Sequence, residues 1–159
     1  MALITAAEVI NRAFTNANTD TSLIKSTFIE ISELNHIRPV LGEDLYNEIL
    51  TQSLGTLTAL NSVLLENYIK DYLAFCVKFE VLPDISYNTT SQGVVENLAD
   101  FTNPVSEKKL AFLRTETYRK ADTFKKKMVE YLVDNHSDYP LWVNETSGGV
   151  IKKFGIITY

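Results

Sequence analysis

The stretch LTALNSVLLENYIKDYLAFCVKFEV, residues 57–81, decides the fold. Its apolar side chains run from Leu60 to Phe79 at helical spacing and cover most of the circumference of the helix. A helix that is apolar on nearly every side packs against neighbours on several sides. We therefore expect a long central helix here, ended by Pro83, because proline lacks an N–H and its ring interrupts helices.

Two shorter amphipathic helices are predicted before this central helix. Thr5 followed three residues later by Glu8 is the signature of a capping box, which marks the start of a helix. A second helix begins at Asp20 or Thr21, since either residue is a suitable N-cap. The residues of this second helix that recur at helical spacing, and that we expect to face the core, are Leu23, Ile24, Thr27, Phe28, Ile31 and Leu34.

A tight corner between helices is predicted at HIRPVLGEDLY, residues 36–46. The second helix ends near His36, because Pro39 disfavours helical backbone at the residue before it. Gly42 supplies a permissive backbone, and the next helix extends from there to about Ser53 with Tyr46 facing inward. His36, Pro39, Gly42 and Tyr46 are therefore the structural residues of this corner.

The second half of the chain predicts one long loop and one long helix. Residues 84–105 are rich in Asn, Thr, Ser and Gly, which indicates a loop with a short hairpin around Gly93. Ser106 then begins a helix that reaches about Asn135, with a single apolar stripe and basic residues on its other faces. Trp142 follows this helix as a packing anchor.

These elements predict an all-α fold, a small helical bundle with one long loop and a β-prone C-terminal tail. Residues 1–142 form the bundle domain and residues 143–159 an extension. Because an isolated strand leaves its hydrogen-bonding groups unpaired, the tail pairs with a partner chain or with its own loop near Val94 and Val95. The tail residues expected at a subunit or partner interface are Val150, Ile151, Lys152, Lys153, Phe154, Ile156 and Ile157.

The composition is that of a globular protein rather than a disordered, fibrous or disulfide-rich one. The chain has 159 residues, of which 45% are hydrophobic and 22% charged, enough for one domain with a sizeable core. Its single cysteine, Cys76, excludes an intramolecular disulfide and is consistent with a reducing compartment. Without a long apolar run or a basic and apolar leader, we expect neither membrane insertion nor secretion.

Charge is unevenly distributed along the chain. The net charge is −5 in total, but residues 1–103 carry −8 and residues 104–159 carry +3. Such an asymmetry suits oriented contact with a partner or with further copies of the chain. Ordinary solvated helix faces are the alternative interpretation.

Signals for catalysis are weak. Cys76 lies in the most apolar helix, where a neutral, packed thiol is expected rather than a nucleophile. His36 and His136 are far apart, and neither lies in a metal-binding spacing. No glycine-rich phosphate-binding loop is present in the sequence. We expect no catalytic residue and no cofactor.

One acidic cluster leaves a metal site open as an alternative. Glu43, Asp44 and Glu48 lie within about one helical turn and offer oxygen ligands. The simpler interpretation places Glu43 and Asp44 at a helix N-terminus, where the helix dipole favours anions. We therefore expect no bound metal.

A basic segment of the long helix is the best candidate for contact with nucleic acid. It lacks an aromatic stacking platform and a known reading motif, and the chain as a whole is acidic. A charged protein interface and a solvated helix face are the other interpretations. The residues concerned are Arg119, Lys120, Lys125, Lys126 and Lys127.

The whole pattern resembles the small helical head–tail connector proteins of tailed bacteriophages, also called adaptor, head-completion or ring proteins, especially those of phages that infect Bacteroidetes, including crAss-like phages. The resemblance lies in the order and spacing of moderately specific stretches rather than in a catalytic signature. These are Ile4-Thr5 before the first helix, the corner at residues 36–46, and the helix from Leu110 to Ala121 that continues to Tyr131-Leu132, Asn135 and Tyr139-Pro140.

The resemblance implies a structural, non-enzymatic virion protein, made in the cytoplasm of a bacterial host and located at the head–tail junction. Such proteins form a homo-oligomeric ring, expected to be twelvefold, under the portal protein, and they present a surface to further tail and connector proteins. Genomic DNA passes through the channel without sequence-specific contact. The alternatives are a tail-side adaptor or tail-completion protein, a helical DNA-binding regulator, and a metal-dependent enzyme that uses the acidic cluster.

Overall fold

The structure is a computed structural model that describes residues 2–15, 19–90, 93–96 and 107–143, with residues 86–90 and 93–96 described by their backbone alone. Within these residues the chain is helical apart from one hairpin, and no helix is both long and apolar enough to cross a membrane. The α-helices are α1 (Ala6–Ala13), α2 (Ser26–Ser32), α3 (Arg38–Leu41), α4 (Glu43–Ser53), α5 (Ala59–Leu64), α6 (Lys70–Ser86) and α7 (Glu107–Asp134).

Two pairs of these helices are continuous through wider, π-helical turns. One π turn, Glu33–Ile37, joins α2 to α3, and the other, Leu65–Ile69, joins α5 to α6. Short 3₁₀ turns lie at Thr21–Leu23 and His136–Asp138. The chain therefore contains two helical rods, residues 26–41 and 59–86, that each carry an extra residue in one turn.

The second rod is central, as the sequence predicts. α6 packs against α1, α2 and α7. Leu73 and Val77 on α6, and Ile69 in the π turn before it, are fully buried. The buried face begins only at Leu64, because the earlier apolar residues of α5 are exposed. A single hydrophobic cluster extends from the first residues of the chain to the segment after α7.

The expected end of the central helix at Pro83 is wrong. α6 continues through this proline to Ser86. Proline removes one backbone hydrogen bond from the last turn, but it leaves the other amides of that turn free to bond. Because Val81 is buried and Ile85 packs against the core, side-chain burial keeps this turn helical.

The predicted start of the second helix is also wrong by several residues. Asp20 caps a 3₁₀ turn instead, where its Oδ1 accepts from the N–H of Ser22 at 2.8 Å. α2 begins only after Lys25, which provides no side-chain cap. The polar cap therefore stabilises a separate turn before the helix.

This rod does not end near His36, contrary to the sequence prediction. It passes through the π turn and Pro39 and continues to Leu41. A proline ring clashes with the carbonyl four residues before it in a regular α-helix. The π turn moves that carbonyl away from the ring, so Pro39 fits near the start of α3 without breaking the rod.

The glycine corner is confirmed at Gly42. Its φ of 78° and ψ of 161° lie in a region that only glycine adopts readily. The Gly42 carbonyl accepts from the N–H of Tyr46 at 3.1 Å, so α4 starts immediately after the corner. A side chain at this position would meet the backbone of Val143 at 3.7 Å, which is ordinary contact, so backbone conformation rather than space requires the glycine.

Three further local predictions for the bundle are confirmed. Thr5 and Glu8 form both bonds of the capping box at the start of α1. The long helix α7 has the predicted extent and one buried stripe. Trp142 is buried, and its indole N–H donates to the carbonyl of Val40 at 3.0 Å. The segment after α7 is therefore fastened against the end of α3.

The segment predicted as a long loop contains a hairpin, as expected around Gly93. After α6, strands β1 (Tyr87–Thr90) and β2 (Gly93–Glu96) pair antiparallel, with Thr89 opposite Val94. Residues 144–159 lie outside the described part of the chain, so the strand in the tail, its interface residues and the division at residue 143 stay predictions.

The corner glycine provides a direct stability test. We expect Gly42→Ala to lower the free energy of unfolding by about 1–3 kcal/mol, because alanine must adopt a backbone conformation with positive φ. Gly55→Ala is the matched control, since Gly55 has no positive φ and open space around its Cβ position. Chemical denaturation measures both, and equal values for the two variants would contradict the assigned corner geometry.

Candidate interaction surfaces

Two of the predicted basic residues of α7 are neutralised on their own helix. Arg119 Nη2 lies 2.8 Å from Glu116 Oε2, and Lys126 Nζ lies 2.7 Å from an Asp122 carboxylate oxygen. Both pairs are exposed, and each adds little stability. They nevertheless reduce the positive charge that this stripe of the helix presents to a nucleic acid.

The other three predicted basic residues differ in their surroundings. Lys127 lies over the ring of Tyr68 at 5.2 Å, and that ring stacks on Tyr131 at 4.2 Å. Lys120 is exposed and Lys125 is partly buried. The five residues therefore do not converge on one site but surround the outer part of α7.

One corner residue, Tyr46, bonds to a buried carboxylate that the sequence analysis did not single out. Glu33 is only 3% exposed, and its Oε1 accepts from the N–H of Leu3 at 2.6 Å. Its Oε2 accepts from the hydroxyl of Tyr46 at 3.1 Å. His36 of the same π turn lies 3.3 Å from a carboxylate oxygen of Glu80. The corner therefore joins the first residues of the chain to α4 and α6.

Burial changes the acidity of this carboxylate. Desolvation raises the pKa of Glu33, although the bonds from Leu3 and Tyr46 act in the opposite direction. Burial and the neighbouring carboxylate raise the pKa of Tyr46 to about 12. The sequence could have indicated that Glu33 faces the core, because Glu33 falls four residues after Ile29 and four before Ile37, and both are buried.

A second charged network fastens α1 to the central rod. Buried Lys70 donates to Glu8 at 2.6 Å and to Glu66 at 2.5 Å. Arg12 donates to Asp71 Oδ1 at 2.6 Å and to the carbonyl of Glu66, in the π turn, at 3.1 Å. Burial opposes the charge on Lys70, but the bonds from Glu66 and Glu8 outweigh it and raise the pKa of Lys70. This network is structural, since each of its members binds another member of the network.

Two of the three residues of the acidic cluster considered as a metal site, Glu43 and Glu48, bind protein groups instead. Glu43 accepts from Arg38 Nε at 2.5 Å. Glu48 accepts from Gln52 and Asn61, each at 2.9 Å. In the described ranges no group of three or more His, Cys, Asp or Glu side chains is placed to hold a metal ion.

The lone thiol is buried, as predicted. Cys76 is buried in the core, and this burial raises the pKa of its thiol to about 12. A thiol with this pKa is almost entirely protonated at neutral pH, and thiols react as thiolates. Its environment is therefore that of a packing residue.

An aromatic groove between α6 and α7 was missed by sequence reasoning, which placed Arg114 only among the basic residues of the helix. The Arg114 guanidinium lies 4.4 Å over the ring of Phe79, and the ring of Tyr118 lies 5.7 Å from that of Phe79. Tyr118 is 56% exposed. The open pocket between them has a volume of about 400 Å³, and we call it the α7 groove; it is lined by Phe79, Ala111, Arg114, Thr115 and Tyr118.

A second surface lies on the first rod, where the sequence analysis expected core residues. Ile31 and Leu34 are each 43% exposed, so their predicted inward orientation is wrong. The inward stripe passes instead through Ile29, Glu33 and Ile37, which recur every four residues, and Ile31 lies on the opposite side of α2 from Ile29. Leu23 and Thr27, which were also expected to face the core, are exposed. Together with exposed Glu30 we call these residues the α2 ridge: Glu30, Ile31 and Leu34.

The buried carboxylate predicts a pH effect. Since the folded-state pKa of Glu33 is raised, its contribution to the free energy of unfolding is largest below about pH 4.5 and falls as pH rises through the folded value. We expect Glu33→Gln, which cannot ionise, to lose that component of the pH dependence. Urea denaturation of both proteins across this window measures the difference.

The same measurement has a control with an expected direction. Tyr46→Phe removes a bond that lowers the pKa of Glu33, so we expect its pH-dependent component to extend to higher pH than in the wild type. Parallel pH profiles for wild type and Glu33→Gln would contradict the assignment.

Comparison with known proteins identifies one family. Residues 37–150, most of the chain, match a family described as a family of unknown function, DUF6712. No curated protein and no solved structure matches the chain. The matched region begins at the corner and includes the central rod and α7. The chain therefore belongs to the DUF6712 family, whose function is unknown.

Proposed function

We propose that the protein is a structural subunit of a tailed bacteriophage, which forms a ring under the portal and joins the capsid to the tail. The observation that carries the proposal is the presence of exposed large apolar side chains on two separate faces of a small bundle. The resemblance of the chain to head–tail connector proteins suggests the assembly in which these faces would act. In this proposal the protein acts by assembly and performs no chemistry.

The two faces lie on different elements around the central rod. One is the α2 ridge, and the other is the first half of α7, where Phe112, Leu113 and Tyr118 are exposed. Both α2 and α7 pack on α6, and in the described part of the chain α2 and α7 have no substantial contact with each other. A single copy of the chain therefore carries two different apolar surfaces.

Two different surfaces on one chain favour a ring. Exposed apolar patches mark sites of contact with other proteins. When two distinct patches meet between copies, the contact is head to tail, and it closes into a ring if the rotation between copies permits. In this proposal the helical bundle is the wedge of the ring, and the segment with the hairpin of β1 and β2 reaches neighbouring copies.

The remaining parts of the chain have roles in the same proposal. The tail residues, from Val150 to Ile157, contribute strand pairing and apolar contact to an adjacent chain. The exposed basic residues of α7, Lys120 foremost, line the DNA channel or a charged interface. DNA would pass such a surface through non-specific phosphate contacts.

Imaging of the purified chain, alone and mixed with a candidate portal protein, tests the proposal. We expect closed rings, or portal particles that gain a second layer, because the two faces are complementary to further copies. Negative-stain electron microscopy and mass photometry provide the readouts. A particle that binds tail components but not the portal would favour the tail-side adaptor. A monomer that ignores the portal and binds duplex DNA in a salt-dependent way would contradict the connector and favour the regulator.

Deletion of residues 150–159 separates folding from assembly. We expect the truncated chain to keep the helical circular dichroism and the unfolding midpoint of the wild type, since the described core ends at Trp142. We expect it to lose incorporation into rings, measured by mass photometry. Normal ring formation by the truncated chain would remove the tail from the assembly mechanism.

A further inference from the structure

We infer that the α2 ridge of one copy docks into the α7 groove of the next copy, with Glu30 facing Arg114. The inference rests on the proposed function, because it names the contact through which the proposed ring assembles. It commits to a second copy of this chain as the occupant of the groove. The argument for that occupant is the complementarity of the two surfaces in charge and in polarity.

The ridge combines one acid with two aliphatic side chains. Glu30, Ile31 and Leu34 lie within about one helical turn, so their side chains form one patch. No cation in the described part of the chain lies within ion-pair distance of the Glu30 carboxylate. The patch therefore offers an available carboxylate beside apolar surface.

The groove offers the opposite charge in an aromatic setting. Arg114 lies over Phe79, and no carboxylate of the described residues lies within ion-pair distance of its guanidinium. Its Nε is buried and has no hydrogen-bond partner among the described residues. A buried donor without a partner costs free energy. The other N–H groups of the same guanidinium are suited to bind a carboxylate. The site is thus prepared for an acidic side chain flanked by apolar ones.

Docking would combine both kinds of contact. A carboxylate bonded to a guanidinium forms one of the stronger hydrogen bonds in proteins, and the surrounding Ile31, Leu34 and Tyr118 would exclude water from it. Arginine and tyrosine are also the residue types enriched at the centres of protein interfaces. The ridge and the groove are therefore complementary in charge and polarity, and both are exposed.

The alternative of a two-fold dimer is disfavoured by the same residues. In a two-fold contact each patch meets its own copy or the two patches exchange reciprocally. A contact between two identical patches would place Glu30 near Glu30, or Arg114 near Arg114, and like charges repel. Because the ridge lies on the first rod and the groove lies between α6 and α7, the contact joins two distinct patches, and a head-to-tail arrangement joins them with open ends that a ring closes.

Cysteine cross-linking tests the contact directly. We expect the variant with both Leu34→Cys and Tyr118→Cys to form a ladder of disulfide-linked oligomers on mild oxidation, because each copy then donates to one neighbour and accepts from the other. A mixture of the two single variants gives dimers only. The native Cys76 is buried and does not contribute to the ladder.

A matched control uses the other end of α7. Val133 is 54% exposed, close to the exposure of Tyr118, but it lies four helical turns away. We expect Leu34→Cys combined with Val133→Cys to give no ladder. A ladder of equal length from this pair would overturn the inference, because it would report random collision.

Charge reversal provides a second, independent test that needs no new disulfide. We expect Glu30→Arg and Arg114→Glu each to weaken assembly by about tenfold or more, as expected for the loss of a charge-assisted bond. Both changes in one chain restore the pair with opposite polarity and so restore assembly. Circular dichroism checks that each variant remains folded.

The outcomes separate the contact from the proposed function. If the wild type forms rings, alone or on the portal, but neither the ladder nor the charge rescue occurs, the contact is wrong and the ring remains. If the wild type forms no assembly alone or on the portal, both the contact and the proposed function are overturned. A ladder together with charge rescue establishes the contact.

Discussion

Burial of the central rod from Leu64 to Val81 is the constraint on which the rest of the structure depends. Ile69, Leu73 and Val77 are fully buried, and each such side chain contributes about 1.5–3 kcal/mol when it is removed from water. Three helices are needed to provide this burial, because one helix covers only part of the circumference. The network around Lys70 then holds α1 in place where the rod carries an extra residue.

The same constraint explains why two apolar surfaces remain on the outside. Helices α2 and α7 use their inner faces to cover α6, so large apolar residues on their outer faces stay exposed within the described part of the chain. On the first rod these are Ile31 and Leu34, and on α7 they are Phe112, Leu113, Tyr118 and Val133. Contact with other chains would bury them, and this is the physical basis of the proposed ring.

Local features were predictable from the sequence, and features that depend on tertiary packing were not. The Thr5 cap and the Gly42 corner depend on a few neighbouring residues, so their patterns were sufficient. Exposed Ile31 was missed because the helix was predicted to begin several residues too early, so its apolar stripe was counted from Leu23 and Ile24, which lie before α2. Buried Glu33 was missed because its partners, Leu3 and Tyr46, lie elsewhere in the chain. The aromatic setting of Arg114 was missed because Phe79 lies on another helix. Both the α2 ridge and the α7 groove were therefore visible only in three dimensions.

The most direct test of the account is an electron cryomicroscopy reconstruction of the particle that the chain forms with the portal. The account predicts a closed ring in which α2 of each subunit lies against α7 of its neighbour, with Glu30 close to Arg114. A particle in which the outer face of α2 is exposed to solvent, or in which identical faces meet across two-fold axes, would contradict it.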